Sequence, residues 1–202
     1  MKTLPQALQR VVDSLAALPG VGPKSALRMG LTLLQWPEDK VRGLGESLIQ
    51  LRETLCLCSQ CGCLTDEDPC SICSDPGRRG DVLCVVADLD SLLVIDEAGL
   101  FRGRYLVLGG LLSPLDGIQS SQLEFGRLRE RLRQGDIEEV ILALGTTRDG
   151  ETTESYVADV IQSEFPHIRV SRLAQGIPVG SQLKYMDQET LRQSFSYRQP
   201  LP

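Results

Sequence analysis

The chain has few of the residues on which catalysis and membrane insertion most often depend. It contains one histidine, His167, and only 4% of its 202 residues are aromatic. His167 follows Pro166 just ahead of a predicted strand, and the sequence offers it no evident nucleophile partner, so we interpret it as a solvent-facing loop residue. No apolar stretch approaches the ~20 residues that span a bilayer, and no apolar leader follows a basic N-terminus. We therefore expect a cytoplasmic protein with no membrane partner.

Basic residues are fewer than acidic residues, 21 against 27, and the net charge is −6. This balance argues mildly against a nucleic-acid ligand, because phosphate binding draws on lysine and arginine. The distribution of the charge argues the other way, since residues 1–30 carry a net charge of +3 from Lys2, Arg10, Lys24 and Arg28 against Asp13. We expect a modest, salt-sensitive affinity for nucleic acid, which an oligomer would raise by repeating the basic segment.

Hydrophobic periodicity predicts a helical region followed by an α/β domain. Apolar residues at helical spacing predict helices over about 5–17, 23–35 and 39–55. Farther on, short apolar runs predict strands at 82–87, 105–108, 140–144 and 168–170. The segments between these strands predict helices at 89–98, 121–134 and 151–165. This alternation predicts a mostly parallel sheet with helices on both faces.

Four arginines alternate within the predicted helix at 121–134. Their spacing spreads them around the helix, and we expect them to lie on a solvated surface: Arg127, Arg129, Arg131 and Arg133.

A glycine-rich turn between the first two predicted helices has the features of a phosphate-binding site. Gly20 and Gly22 can adopt positive φ and bring the backbone close to another surface without a Cβ. Pro23 suits the first position of a helix, whose N-terminus attracts anions. Lys24 and Arg28 are four residues apart and share one helical face. The stretch resembles the helix-hairpin-helix motif of DNA-repair and recombination proteins, which holds the DNA backbone without reading its sequence. The alternative is an ordinary corner between helices.

The cysteines point to a metal centre. There are seven, an odd number that fits a metal site better than a disulfide framework. Two C-x-x-C pairs, eight residues apart, together offer four thiolates: Cys58, Cys61, Cys70 and Cys73. Such a set closes a tetrahedron around one structural zinc ion per chain, with an iron–sulfur centre or a redox pair as alternatives. Cys56 and Cys63 flank the first pair and could replace a ligand in a misassembled site, but neither belongs to a C-x-x-C pair. Cys84 lies in a predicted strand, where we expect it in the core.

The hairpin, the four cysteines and the α/β domain, in this order, resemble the RecR family of bacterial recombination mediators over nearly the full chain. The matching segments besides the cysteine pairs are 18–26, 103–105, 112–118 and 176–180. The resemblance implies a Toprim-type domain, a homo-oligomer that is a dimer or a tetrameric ring able to encircle DNA, and no enzymatic activity. It implies partners of the RecO and RecF type and DNA with gaps or junctions of single and double strands, bound without sequence preference. Lys24 and Arg28 match the family's basic hairpin positions.

The acidic residues depart from the Toprim pattern. Toprim domains bind magnesium through a glutamate after the first strand and a later D-x-D pair, and this chain has Ala87 where that glutamate belongs. Asp88 is adjacent, but a shift of one residue turns a side chain to the other side. Asp116 is what remains of the later pair, and Glu151 matches another family position. We assign no catalytic residue and interpret Asp116 and Glu151 as partner contacts or a vestigial acidic site. For Glu151 the alternative is a purely structural role, because an acidic residue at the start of a helix interacts favourably with the helix dipole.

These features predict four parts: a helix-hairpin-helix region at 1–55, a four-cysteine zinc finger at 56–80, a Toprim-like domain at 81–172 and a C-terminal segment at 173–202. We expect a non-enzymatic DNA clamp and adaptor that helps partners to load a recombinase in recombinational repair. A magnesium-dependent Toprim nuclease or primase-like enzyme is the alternative, against which the missing carboxylates count. A zinc-containing interaction module with no nucleic-acid role, its hairpin serving oligomer contacts, also stays open.

Overall fold

The computed structural model describes residues 4–198 and residue 200. Lys2, which contributes to the basic N-terminal segment, lies outside them. The chain folds as two units, one ending at Leu55 and the other beginning at Cys56. Within the described ranges, no helix has both the length and the apolar character needed to cross a membrane.

The first unit consists of three helices near their predicted positions. They are α1 (Gln6–Ala16), α2 (Pro23–Gln35) and α3 (Glu38–Thr54). A proline precedes α1 and α3, while Gly22 precedes α2 and Pro23 occupies its first turn. Proline suits these starts because the first helical N–H groups have no partner within the helix.

A small core joins α1 and α2. Val12 and Ala26 are buried there. A Cβ added at Gly30 would lie 3.1 Å from Leu8 Cδ1 and 3.4 Å from Val12 Cγ2. The absence of a side chain at Gly30 therefore lets the two helices approach closely, which fixes the turn between them.

The second unit begins with a two-stranded antiparallel ribbon and continues into a parallel sheet. The ribbon pairs β1 (Cys56–Leu57) with β2 (Leu64–Thr65), and a short helix, α4 (Ser71–Ser74), follows. The sheet has the order β4-β3-β5-β6 and contains β3 (Val82–Val86), β4 (Arg104–Val107), β5 (Glu139–Ala143) and β6 (Arg169–Arg172). Each neighbouring pair in it is parallel, as the sequence predicts.

Alternate residues of β3 face two separate cores. Leu83 and Val85 belong to the core that also contains the buried side chains of α6 (Phe125–Arg133) and α7 (Arg148–Glu164). Cys84 and Val86 belong to the core that includes Leu92 of α5 (Leu89–Glu97) and the buried cysteines. The sheet is therefore covered on both faces, which confirms the predicted fold class.

Two features of the second unit differ from the sequence expectation. Residues Ser120–Gln122 form a separate 3-10 turn, so α6 begins at Phe125 and not near 121. The C-terminal segment contains a 3-10 turn, Leu183–Tyr185, and a helix, α8 (Gln188–Ser196), that the periodicity did not predict. Neither element has a buried residue, and the N-cap residue of α8 is Asp187, whose side chain accepts a hydrogen bond from Thr190 N–H at 2.9 Å.

Candidate nucleic-acid interface and metal centre

The turn between α1 and α2 is open to solvent. Val21 N–H donates to the Leu18 carbonyl at 3.1 Å and closes the turn. Gly20 has φ of +78°, as the sequence suggests, but Gly22 has φ of −78° and ψ of 162°, an extended conformation. The expectation of positive φ therefore holds only for Gly20. No atom lies within 4 Å of a Cβ added at either glycine, so neither is needed to relieve crowding within this unit.

The start of α2 carries uncompensated positive charge. Its N-cap residue, Gly22, has no side chain to accept from the first N–H groups, and its first turn contains no acidic residue. The helices α3 and α7, in contrast, each begin with two acids. Lys24 and Arg28 are exposed and one helical turn apart. Free amides, the helix dipole and two cations thus lie at one exposed end of the helix, an arrangement suited to phosphate.

The structure brings together the four cysteines of the two C-x-x-C pairs. The sulfurs of Cys58, Cys61, Cys70 and Cys73 all lie within 4.8 Å of one another, and all four residues are buried. The Cys61 and Cys70 sulfurs are 3.6 Å apart. A tetrahedral zinc site with Zn–S bonds of about 2.3 Å has S–S edges of about 3.8 Å, so the spacing fits zinc.

Backbone hydrogen bonds shape this cysteine segment. Cys58 N–H donates to the Cys63 carbonyl at 2.8 Å, and Gly62 N–H donates to the Cys58 carbonyl at 2.9 Å. Gly62 has φ of +75°, which glycine adopts without strain. The N–H of Cys70 points at the Cys58 sulfur at 3.4 Å, and the N–H of Cys73 points at the Cys70 sulfur at the same distance. Such N–H donors stabilise thiolate, the form that binds metal.

Three groups of the α/β domain hold the carbonyls of the cysteine segment. Val107 N–H, in the edge strand β4, donates to the Cys61 carbonyl at 2.8 Å. Arg127 Nη1 donates to the carbonyls of Cys58 and Ser59 at 2.8 and 2.6 Å. Arg104 Nη1 donates to the carbonyls at the end of α4. The metal centre is therefore built into the edge of the sheet.

The position of Arg127 corrects one expectation from the sequence. We expected Arg127 on a solvated surface, but its side chain is half-buried against the cysteine segment. Arg129 instead pairs with Glu164 at 2.8 Å. Contacts of Arg127 with residues almost 70 positions earlier leave no mark in the local charge pattern, so composition and periodicity could not reveal them.

The remaining cysteines occupy three different environments. Cys56 is exposed in β1, and Cys63 is buried beside the four-cysteine set. Cys84 is buried in β3, where burial raises the pKa of its thiol to about 12. Cys84 therefore packs as an apolar residue, in agreement with its position in a strand.

The acidic residues singled out from the sequence have local structural partners. Ala87, at the end of β3, is buried in the core. Asp88 caps α5 by accepting a hydrogen bond from Ser91 N–H at 2.8 Å. Asp116 accepts from the Ser113 hydroxyl at 2.7 Å within an exposed turn. Glu151 lies in the first turn of α7, where an acid complements the helix dipole.

Glu151 also lines an acidic cleft that the sequence did not reveal. The cleft has a volume of about 580 Å³ and lies between the carboxyl end of β5, the start of α7 and the C-terminal segment. Its carboxylates are those of Glu151, Glu154, Asp187 and Glu189. Because functional loops of parallel sheets collect at the carboxyl ends of the strands, this edge is the expected place for ligands.

Glu154 is buried, whereas the other carboxylates of the cleft, Glu151, Asp187 and Glu189, are exposed. Burial raises the pKa of its carboxyl group, the Arg172 guanidinium lowers it, and the Glu151 carboxylate raises it further. The Arg172 Nη1 atom is 3.8 Å away, too far for a direct hydrogen bond. In the sequence Glu154 is an ordinary polar residue of a helix, and only its burial against the C-terminal segment distinguishes it.

Comparison with family models assigns a description to each part of the chain. Residues 8–52 match the RecR helix-hairpin-helix model, and residues 55–75 match the RecR four-cysteine zinc finger domain. Residues 81–174 match the Toprim domain, and residues 176–199 match the RecR C-terminal model.

Comparison with curated proteins finds relatives along the full length. The Recombination protein RecR of Maridesulfovibrio salexigens is 59% identical over 201 residues, and that of Nitratidesulfovibrio vulgaris is 52% identical over 201 residues. Both alignments cover 100% of this chain and of the relative. The Recombination protein RecR of Rhodospirillum rubrum is 44% identical over 194 residues, covering 96% of this chain and 98% of the relative.

Proposed function

Because this chain belongs to the RecR family of recombination proteins, we propose that it acts in recombinational DNA repair as a non-enzymatic clamp and adaptor. In this role it binds gapped or single-stranded DNA without sequence preference and helps partner proteins to load a recombinase. The open start of α2 is the observation that carries the proposal. It combines unpartnered first-turn amides with two exposed cations and no nearby acid of its own turn.

The hairpin residues have separate roles in this proposal. Gly20 and Gly22 leave room for a phosphate to approach the backbone, since nothing lies within 4 Å of their absent Cβ atoms. Lys24 and Arg28 then contact neighbouring phosphates of one strand. These contacts fix the position of the protein on DNA and carry no sequence information.

We propose one structural zinc ion per chain, held by Cys58, Cys61, Cys70 and Cys73. Four thiolates leave no open coordination position, so the ion would supply folding energy and no catalysis. The support is the buried, closely spaced sulfur set and the chain's match to a four-cysteine zinc finger. The cysteine segment is too short to hold its shape by apolar burial alone.

A non-enzymatic role is supported by the end of β3. The apolar Ala87 takes the position at which Toprim enzymes are expected to carry their metal-binding glutamate, and it is buried in the core. We therefore expect no cleavage, joining or polymerisation of nucleic acid in the presence of magnesium. Robust turnover that Asp116→Ala abolishes would favour the magnesium-dependent alternative.

The adaptor role needs a partner surface, for which we propose the acidic edge of the α/β domain. Asp116 and Glu151 are exposed there, and Glu151 lines the cleft with three further carboxylates. A basic segment of a RecO- or RecF-type protein would complement this charge. We further propose that the protein forms a dimer or tetrameric ring in the cytoplasm, and that it is organised in the four parts 1–55, 56–80, 81–172 and 173–202.

Charge reversal at the hairpin tests the DNA contact. Lys24→Glu with Arg28→Glu should weaken DNA binding. The plot of log K against log salt concentration should also become less steep, by about 0.7 to 0.9 for each lost phosphate contact. The matched control is Lys40→Glu with Arg42→Glu, which makes the same change of charge on exposed residues of α3. Binding is measured by fluorescence anisotropy at several salt concentrations, and circular dichroism checks the fold. Equal losses in both double variants would contradict a specific hairpin contact.

A further inference from the structure

The two C-x-x-C pairs lie on separate turns of the chain. The first turn is closed by the Gly62 N–H, which donates to the Cys58 carbonyl at 2.9 Å. The second lies at the start of α4, where the Ser74 N–H donates to the Cys70 carbonyl at 2.9 Å. Each turn is closed by its own backbone, so neither determines where the sulfurs of the other lie. The four sulfurs meet only where the two turns are held against each other.

One side chain joins the two turns. The Asp68 Oδ1 atom accepts two hydrogen bonds from Ser59, from its N–H at 2.8 Å and from its hydroxyl at 2.9 Å. Ser59 directly follows Cys58, and Asp68 lies two residues before Cys70. Among the residues that the structure describes, the other hydrogen bonds between 58–63 and 68–74 all involve a cysteine sulfur. Asp68 therefore joins the turns through atoms that do not bind the ion.

Ser59 is also held from α6. Arg127 Nη1 donates to the Ser59 carbonyl at 2.6 Å and to the Cys58 carbonyl at 2.8 Å. The N–H, the hydroxyl and the carbonyl of Ser59 thus all have partners, although this residue is exposed. Because one partner is a carboxylate and the other a guanidinium, these are hydrogen bonds of the stronger, charge-assisted kind. They fix the backbone beside Cys58 without any bond to a metal.

We propose that Asp68 is a positioning residue of the metal centre, which acts through Ser59 to hold Cys58 in register with the second pair of cysteines. The inference rests on the proposed zinc site. Without this contact, zinc binding must itself order the loop between the two pairs, and the loss of conformational entropy weakens the binding. With the turns already joined by Asp68, less entropy is lost when the ion binds, so the ion is held more tightly.

This role requires an acceptor oxygen at position 68 and not a negative charge. An asparagine there keeps a carbonyl oxygen that can accept from both Ser59 donors, whereas an alanine keeps none. An electrostatic attraction between the carboxylate and the cation would instead be lost in Asp68→Asn as fully as in Asp68→Ala. The two substitutions therefore separate positioning from charge.

Competition for zinc with a chromogenic chelator tests this role. Asp68→Ala should bind zinc about 10-fold more weakly than wild type, the lower end of the 10- to 100-fold effect of groups that orient metal ligands. Asp68→Asn should bind zinc with nearly wild-type affinity. Asp66→Ala is the matched control, because Asp66 is exposed in the same loop and its side chain has no hydrogen bond with any described residue. It should also keep the wild-type affinity.

A double variant assigns the effect to Ser59. Ser59→Ala removes the hydroxyl donor but keeps the N–H, so it should weaken zinc binding less than Asp68→Ala does. When added to Asp68→Ala, it should cause no further loss, because its partner is already absent. Cobalt substitution should give the thiolate charge-transfer absorption of wild type in every variant, since all four ligands are retained. Circular dichroism checks the fold.

Four results would overturn the positioning role. They are wild-type zinc affinity in Asp68→Ala, a loss in Asp68→Asn or Asp66→Ala as large as that in Asp68→Ala, additive losses in the double variant, and reduced charge-transfer absorption in Asp68→Ala. A wild-type protein that binds no zinc would instead overturn the proposed metal site itself, so the two failures are distinguishable.

Discussion

Arg127 and Arg133 belong to the same helix, α6, yet their surroundings differ. Arg127 is half-buried and holds two carbonyls of the cysteine segment, while Arg133 is exposed in the last turn. From the sequence both are members of one alternating series. The distinction arises from where the helix packs, which tertiary contacts determine.

Arg127→Ala should therefore lower the free energy of unfolding by about 1–3 kcal/mol, because it removes two hydrogen bonds from a charged donor to the carbonyls of Cys58 and Ser59. Urea denaturation followed by circular dichroism measures the loss. Arg133→Ala makes the same truncation at a solvent-exposed position and should change the stability by about 0.5 kcal/mol or less. A similar effect of both substitutions would show that the contact with the cysteine segment contributes little.

Glu154 gives the folded protein a pH dependence opposite to that of a salt-bridged acid. Its pKa is raised mainly by burial, so the folded state favours the protonated form. The resulting penalty is absent below the ordinary glutamate pKa of about 4.3 and grows as the pH rises through the folded-state pKa.

Glu154→Gln should accordingly stabilise the protein at neutral pH and change little at pH 4 or below. Thermal unfolding across this pH range measures the difference between the variant and wild type. Glu151→Gln, on an exposed residue of the same helix, is the control. A stability difference that shrinks as the pH rises would mean that the ion pair with Arg172 outweighs the cost of burial.

At the level of elements, the first turn of α7 contains a glycine, Gly150, whose role is not evident from the residues next to it in the sequence. A Cβ added at Gly150 would lie 2.7 Å from the carbonyl oxygens of both Leu144 and Gly145, at the end of β5. Those oxygens belong to backbone and cannot move aside freely. The close packing of α7 on the strand end therefore requires glycine at this position.

Gly150→Ala should destabilise the protein by about 1–3 kcal/mol through this overpacking. Gly126→Ala is a matched change, since Gly126 also lies in the first turn of a helix but has no atom within 4 Å of an added Cβ. It should be neutral or stabilising by up to about 1 kcal/mol, because alanine loses less entropy in a helix. Denaturant midpoints compare the two, and a reversed order would contradict the packing at β5.

The elements themselves were largely predictable, because their apolar residues follow helix or strand periods. The four strands of the parallel sheet and the helices α1 to α3 lie within one or two residues of their expected bounds, since prolines, glycines and apolar runs mark their ends. Spacing alone also predicted the four-cysteine set. The acidic cleft and the role of Arg127 were not predictable, because each depends on contacts between distant segments and not on local pattern. The helix α8 does have a local signal, since the Asp187 side chain accepts a hydrogen bond from Thr190 N–H, but it buries no apolar face.

At the scale of the whole molecule, the acidic net charge limits what one hairpin can achieve. A chain with a net charge of −6 repels DNA at long range, and two cations at one helix start provide few phosphate contacts. Repetition of the hairpin in a homo-oligomer multiplies these contacts, because the second binding event becomes intramolecular. A closed ring would also keep the protein on circular DNA at salt concentrations that abolish its contacts with phosphate.

The most direct test of the clamp compares circular duplex DNA that carries a single-stranded gap with the same DNA after linearisation. The protein is loaded at low salt, the salt is then raised, and size-resolved binding measures what stays on the DNA. We expect retention on the circles and loss from the linear form, with Lys24→Glu/Arg28→Glu weakening the initial loading. Equal dissociation from circular and linear DNA would contradict encirclement and leave only a surface contact at the hairpin.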